Sequence, residues 1–257
     1  MHLERFIRQQ RQKKDILLMS HTVLGYPSWD DNRAAIAALV RGGVELIELQ
    51  FPFSEPIADG PILLAANHAA IQSGVSVRDC LSFAAEMTQN YPQTRFVIMT
   101  YVNILFRYGI SNFVEAAALS GVAGCIIPDL PCEQAEGYIQ VCRENTLATI
   151  FLVTPNNSLE RIQQILRHTS GLIYCVTRKG VTGQYTQLSK AAQQYLSQVK
   201  SISQLPMAVG FGIQSADDVS KLIGHADIAV IGSQPVKHYA NCGVDSLERL
   251  IRGLRSG

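Results

Sequence analysis

The stretch "DILLMSHTVLG" (residues 15–25) is a short apolar run, and "DDNRAAIAALVRGG" (residues 30–43) follows it within a few residues. The first stretch has the length and composition of a buried parallel strand, and the second has the apolar spacing of a helix that packs on such a strand. A strand followed at once by a helix is the repeating unit of α/β proteins. The fold therefore depends on how often this unit recurs.

Seven further runs of the same kind follow along the chain. They are "VELIELQF" (44–51), "RFVIMTYV" (95–102), "VAGCIIPD" (122–129), "LATIFLVTP" (147–155), "GLIYCVTR" (171–178), "LPMAVGFG" (205–212) and "ADIAVIGS" (226–233). Eight strands that alternate with helices form either a closed (β/α)₈ barrel or a doubly wound open sheet. The count of eight favours the barrel, and the first strand lacks the GxGxxG turn of a dinucleotide-binding sheet. We predict one α/β domain over residues 1–257, a (β/α)₈ TIM barrel with an extra N-terminal helix.

Composition restricts the possible functions. The chain has 257 residues, of which 47% are hydrophobic, and its formal net charge of +1 gives no electrostatic reason to bind nucleic acid or an anionic membrane. No apolar run approaches the roughly 20 residues of a membrane span. The charged N-terminal stretch lacks the apolar centre of a signal peptide, and the six cysteines are widely spaced without a CxxC pair. These features predict a cytoplasmic protein without a metal site.

Two carboxylates lie at and after the second strand. Glu48 stands in the middle of an otherwise apolar run, where a buried charge is costly unless it is paired or used in chemistry. It is either a core glutamate bonded to a neighbouring strand or a catalytic group. Asp59, in "ADGP", suits an ordinary turn but also lies on the loop that follows the strand. Together the two carboxylates could act on two atoms of one substrate.

Glycine-rich turns follow the last three strands. They are "RKGVTG" (178–183), "GFGI" (210–213) and "IGS" (231–233). Any one of them alone is typical of an ordinary turn. Three together, with a helix expected to begin at Ser233, predict a phosphate site, because barrels bind phosphate on the loops after strands seven and eight.

The sequence resembles the α subunit of tryptophan synthase over nearly its whole length. The hallmark segment of that family, LELG-x-PFSDP-x-ADGP, is followed closely by "IELQFPFSEPIADGP" (47–61), and the three glycine turns fall in the right order. The resemblance implies a carbon–carbon lyase of tryptophan biosynthesis that splits indole-3-glycerol phosphate into indole and glyceraldehyde 3-phosphate by a retro-aldol step. It also implies that the reaction needs no metal or organic cofactor, and that a β subunit joins the chain in an α₂β₂ tetramer.

The resemblance also assigns roles to individual residues. Glu48 matches the catalytic glutamate, Asp59 matches the loop aspartate that contacts the indole nitrogen, and Tyr174 matches a tyrosine beside the active site. The remaining matched positions are Thr182 on the closing loop, Phe211 in the indole pocket, and the phosphate-binding Gly183, Gly212, Gly232 and Ser233.

Several residues depart from the family pattern. They are His21 in place of phenylalanine, Tyr26 in place of aspartate, Gln50 in place of glycine, Glu55 in place of aspartate, and Leu64 in a stretch that is usually polar. We assign His21 no role and expect the Gln50 amide to bond Glu48, which predicts a slow lyase. The departures leave open a stand-alone lyase of a secondary pathway, or a catalytically weak paralogue that regulates the β subunit.

Overall fold

The computed structural model describes residues 2–177, 189–210 and 212–255, and these residues contain nine strand segments. The strands are β1 (Leu17–Val23), β2 (Leu46–Gln50), β3 (Arg95–Met99), β4 (Gly124–Ile126), β5 (Ala148–Ile150), β6 (Leu152–Val153), β7 (Ile173–Val176), β8 (Met207–Gly210) and β9 (Ile228–Ile231).

The nine segments close into a barrel of eight strands. Hydrogen-bonded neighbours follow the order β5-β4-β3-β2-β1-β9-β8-β7-β6, and each described pairing is parallel. The two ends of this order, β5 and β6, are separated in the chain by a single residue, Phe151. They are therefore two halves of the one strand predicted from "LATIFLVTP". The (β/α)₈ barrel is confirmed, with that strand interrupted.

The helices surround the barrel and connect its strands. They are α1 (His2–Arg11), α2 (Trp29–Gly42), α3 (Pro61–Gln72), α4 (Val77–Asn90), α5 (Val102–Tyr108), α6 (Ile110–Leu119), α7 (Glu136–Glu144), α8 (Leu159–His168), α9 (Lys190–Ile202), α10 (Ala216–Ser220), α11 (Ser233–Cys242) and α12 (Val244–Leu254). A short 3₁₀ helix covers Cys132–Gln134. Of the helices in the described ranges, none is long and apolar enough to cross a bilayer.

Side chains at alternate strand positions pack into two separate layers. Leu17 and Met19 of β1 and Leu46 of β2 belong to a cluster inside the barrel, whereas Leu18 and Ile47 pack outside against the helices. This alternation follows from the pleat, since successive side chains point to opposite faces of a strand. Odd positions of β1 and even positions of β2 therefore face the interior.

The extra N-terminal helix predicted from the sequence covers one end of the barrel. Leu3, Phe6 and Ile7 of α1 are buried and belong to the interior cluster, together with Leu17 and Leu46 at the starts of their strands. The helix therefore lies at the amino ends of the strands. The opposite rim, where the strands end and the loops begin, is where barrels place their functional groups.

Candidate active site

Glu48 faces the interior of the barrel near its carboxyl-end rim. It shares the inward face of β2 with Leu46, lies beside His21 in the register with β1, and is only 5% exposed. His21 is equally enclosed, at 4% exposed. The two side chains meet, because His21 Nδ1 lies 3.3 Å from Glu48 Oε1.

Gln50 and Asp59 extend this contact into a chain of four side chains. His21 Nε2 is 2.7 Å from the Gln50 side-chain oxygen, and the Gln50 amide nitrogen donates to Asp59 Oδ2 at 2.5 Å. Gln50 thus bonds His21 and Asp59, and not Glu48 as expected from the sequence. His21, which was given no role, is the residue that touches Glu48 and connects it to the others.

Asp59 is held over the barrel by groups from two other elements. The Tyr101 hydroxyl and the Asn67 amide nitrogen each donate to Asp59 Oδ2 at 3.5 Å. Tyr101 also accepts the Ala58 backbone N–H at 3.2 Å and stacks on Phe53, with ring centroids 4.9 Å apart. The loop after β2 is therefore held against Tyr101, two residues after the end of β3, and the Asp59 carboxylate is buried rather than exposed to solvent.

The electrostatics of the site follow from burial and from these neighbours. Burial on its own would lower the pKa of His21, but Glu48 and then Asp59 outweigh it, so the pKa of His21 is raised above 6.5. Burial raises the pKa of Asp59, and the facing His21 only partly offsets that rise. An imidazolium between two carboxylates gains from both of them, and an unpaired carboxylate at this depth would be costly.

Tyr174 lies on β7, with Ala208 beside it in the register with β8, and packs against the interior cluster. Burial raises the pKa of Tyr174 well above its ordinary value, and the negative charges of Glu48 and Asp59 raise it further. The barrel therefore brings this hydroxyl, neutral at physiological pH, within electrostatic reach of both carboxylates.

The predicted phosphate-binding glycines Gly212 and Gly232 lie on the carboxyl-end rim, just after β8 and β9. Gly212 adopts the left-handed φ of +83°, which glycine tolerates without strain. Gly232 caps α11, whose first residue is Ser233, as expected from the sequence. The Gln234 side chain donates to the Gln214 backbone carbonyl at 3.2 Å, which ties the two loops together. Among the described residues, a Cβ on Gly232 would meet no atom within 4 Å, so they leave space beside its backbone.

Other predicted site residues lie outside the described part of the chain. These are Thr182, Gly183 and Phe211. Sequence reasoning in turn missed Tyr101 and Asn67, which contact Asp59 but lie 42 and 8 residues away from it in the chain. The one available signal was that Tyr101 lies near the end of the third apolar run, at the rim where functional groups gather.

Comparison with known proteins gives one consistent family. A family model described as tryptophan synthase alpha chain matches residues 7–252. The tryptophan synthase alpha chain of Syntrophotalea carbinolica is 44% identical over 253 residues, which cover 98% of this chain and 100% of the relative. The corresponding alpha chain of Desulfotalea psychrophila is 44% identical over 255 residues, with 99% and 100% covered.

Solved structures agree with the sequence relatives. A Mycobacterium tuberculosis tryptophan synthase structure superposes with a TM-score of 0.92 at 32% identity and covers 99% of this chain and 96% of its own. A tryptophan synthase complex from Pyrococcus furiosus superposes with a TM-score of 0.85 at 30% identity, with 93% and 97% covered.

Proposed function

The chain belongs to the tryptophan synthase alpha chain family, and we propose that it cleaves indole-3-glycerol phosphate to indole and glyceraldehyde 3-phosphate in tryptophan biosynthesis. The observation that carries this proposal is the pairing of Glu48 and Asp59 inside one barrel mouth, linked by polar contacts. Cleavage of the bond between indole C3 and the glycerol chain needs groups that act at two separate atoms of the indole ring. Two separately held carboxylates meet that need.

Glu48 is the acid and base of the proposed reaction. Its carboxyl group donates a proton to indole C3, so the ring becomes a leaving group. As the carbon–carbon bond breaks, the adjacent side-chain hydroxyl loses its proton and becomes the carbonyl of glyceraldehyde 3-phosphate. The Glu48 carboxylate takes up that proton, and the enzyme returns to its starting state.

Asp59 stabilises the intermediate with positive charge on the indole ring. The three side-chain donors described above all reach its Oδ2, so among the described bonds Oδ1 is left for the indole N–H. A carboxylate held at this position favours the positive charge electrostatically, because its hydrogen bonds are formed before the reaction begins. Tyr174, neutral and interior, borders the same space.

The phosphate group of the substrate belongs on the part of the carboxyl-end rim that follows β8 and β9. The first backbone N–H groups of α11, beginning at Ser233, have no partner within the helix, and the helix dipole adds partial positive charge there. The described residues leave space beside the backbone of Gly232, and the sequence resemblance adds Gly183 and Gly212 to the proposed phosphate site. Binding at this rim would fix the long axis of the substrate against the two carboxylates.

The proposed partner is a tryptophan synthase β subunit, which takes up the indole in an α₂β₂ assembly in the cytoplasm. Exposed apolar side chains lie on the carboxyl-end face, where Ile57 is 70% and Phe106 is 61% exposed. Residues close to them in the chain, including Pro52, Glu55 and Arg107, line a groove. An apolar surface with a charged rim suits a protein interface.

The test is indole release from indole-3-glycerol phosphate by the purified chain, with and without the β subunit of its own organism. We expect measurable turnover alone and faster turnover in the complex. No indole release under either condition, with the ligand bound and the fold intact, would show that the chain is not a lyase.

A further inference from the structure

We propose that His21 and Gln50 are positioning residues for the catalytic proton. His21 shares one proton with Glu48, and Gln50 fixes which His21 nitrogen faces Glu48. The arrangement of the four side chains is independent of any reaction, whereas its use in catalysis rests on the lyase function proposed above.

The groups around Asp59 determine which atom donates and which accepts in each hydrogen bond of the chain of four side chains. Asn67 accepts the Phe53 backbone N–H at 3.0 Å, so its amide nitrogen is the group that faces Asp59. Tyr101 accepts from the Ala58 N–H and so turns its own proton toward Asp59. Donors therefore converge on Asp59, which acts as an ionised acceptor.

This acceptor sets the orientation of Gln50 and the tautomer of His21. Gln50 must present its NH₂ to Asp59, so its carbonyl oxygen faces His21 Nε2. A carbonyl only accepts, so Nε2 must carry a hydrogen. The second ring nitrogen, Nδ1, is left facing Glu48 Oε1 at 3.3 Å. One proton between these two atoms gives either an imidazolium beside a carboxylate or a neutral imidazole beside a carboxylic acid.

The shared proton fits the proposed reaction with balanced protons. The pair holds one proton at rest, none after Glu48 has protonated indole C3, and one again after the substrate hydroxyl has lost its proton. In the resting state, His21 can therefore hold the shared proton while Glu48 is ionised, and can return it through Oε1. The proton that Glu48 passes to indole C3 can then be supplied from His21 in the same step.

The charges around His21 determine how strongly it holds the shared proton. In the described part of the chain, the charged groups that face His21 are Glu48 on β2 and Asp59 on the following loop. Tyr101 and Tyr174 approach those carboxylates as neutral hydroxyls. Since both charged neighbours are negative, they favour the protonated pair, and the pair keeps its proton as the pH rises past the ordinary histidine value.

The first test is an NMR titration of the imidazole nitrogens, which needs no turnover. We expect neutral His21 to carry its hydrogen on Nε2, and its pKa to lie above the ordinary value of 6.5 and to fall in Glu48→Gln. A His21 that titrates at the ordinary value and does not respond to Glu48→Gln would overturn the proposal, whatever the enzyme's activity.

The second test is the pH dependence of kcat in His21→Phe and Gln50→Met, with Ser20→Ala as the matched control. Ser20 is buried on the same strand but on its outer face, and among the described residues its hydroxyl has no hydrogen-bond partner. We expect His21→Phe to lose about tenfold in kcat at pH 8 and less than about threefold at pH 6. Gln50→Met should shift the profile the same way, and Ser20→Ala should leave it unchanged.

The opposite outcome has a clear meaning. If both variants gain rate equally at every pH, His21 and Gln50 merely hinder the reaction, and the positioning role is wrong. If wild type shows the His21 titration but releases no indole, the shared proton stands and the lyase function falls.

Discussion

Glu45 and Glu48 lie three residues apart in the chain, are each 5% exposed, and serve different ends of the barrel. Glu48 faces the interior and touches His21. Glu45, just before β2, pairs with Lys14 and with Arg255 at 2.5 Å, and accepts the Leu18 backbone N–H at 2.8 Å. Glu45 thus connects segments near both ends of the chain to the strands, whereas Glu48 faces the barrel interior near the carboxyl-end rim.

Glu48→Gln is expected to abolish the lyase reaction without unfolding the protein. Glutamine keeps the shape of the side chain but cannot transfer a proton, so kcat should fall by at least about 10²-fold. Binding of glycerol phosphate, followed by calorimetry, should persist. Near-normal turnover in this variant would mean that Glu48 is a structural glutamate.

Glu45→Gln is expected to destabilise the fold rather than to remove a catalytic group. Removing one member of a buried ion pair leaves its cationic partners unsatisfied, and we expect a loss of about 2–3 kcal/mol in the free energy of unfolding, since Lys14 remains partly exposed. Denaturant unfolding measures this loss. The control is Glu86→Gln, which breaks the more exposed pair with Arg33 and should cost less than about 1 kcal/mol. Equal losses of unfolding free energy in the two variants would show that burial of the carboxylate does not set the cost of removing it.

The sequence predicted the strands better than the side-chain contacts between them. Apolar runs report burial directly, so the barrel followed from their number, and only the break at Phe151 was missed. Glu48 was recognisable because a charge in such a run is costly. The partner of that charge was not recognisable, because the register between β1 and β2 that puts His21 beside Glu48 depends on the closed barrel. The same holds for Tyr101, which reaches Asp59 across 42 residues of chain.

Gly232→Ala is expected to weaken phosphate binding while leaving the fold intact. The added methyl group would meet no atom of the described residues within 4 Å, so we expect it to project into the space assigned to the anion. We expect KM for indole-3-glycerol phosphate to rise about tenfold, a loss of about 1.4 kcal/mol in binding. Gly253→Ala, on α12 and also unobstructed, is the control. A glycerol phosphate titration that perturbs only amides distant from Gly212 and Ser233 would place the anion elsewhere.

Phe106→Asp is expected to weaken assembly with the β subunit and to leave the basal activity of the isolated chain unchanged. Phe106 lies on α5, directly after β3, and therefore on the carboxyl-end face beside the groove that contains Pro52 and Glu55. A new carboxylate there would be desolvated in the complex without a partner, and a loss of about 2 kcal/mol or more is typical at the centre of an interface.

Leu119→Asp is the matched control, because Leu119 is 87% exposed but ends α6, just before β4 begins, on the amino-end side. Sedimentation of the mixed subunits and the stimulation of indole release by the β subunit measure the effect. If Leu119→Asp disrupts the complex and Phe106→Asp does not, the β subunit docks on the other end of the barrel.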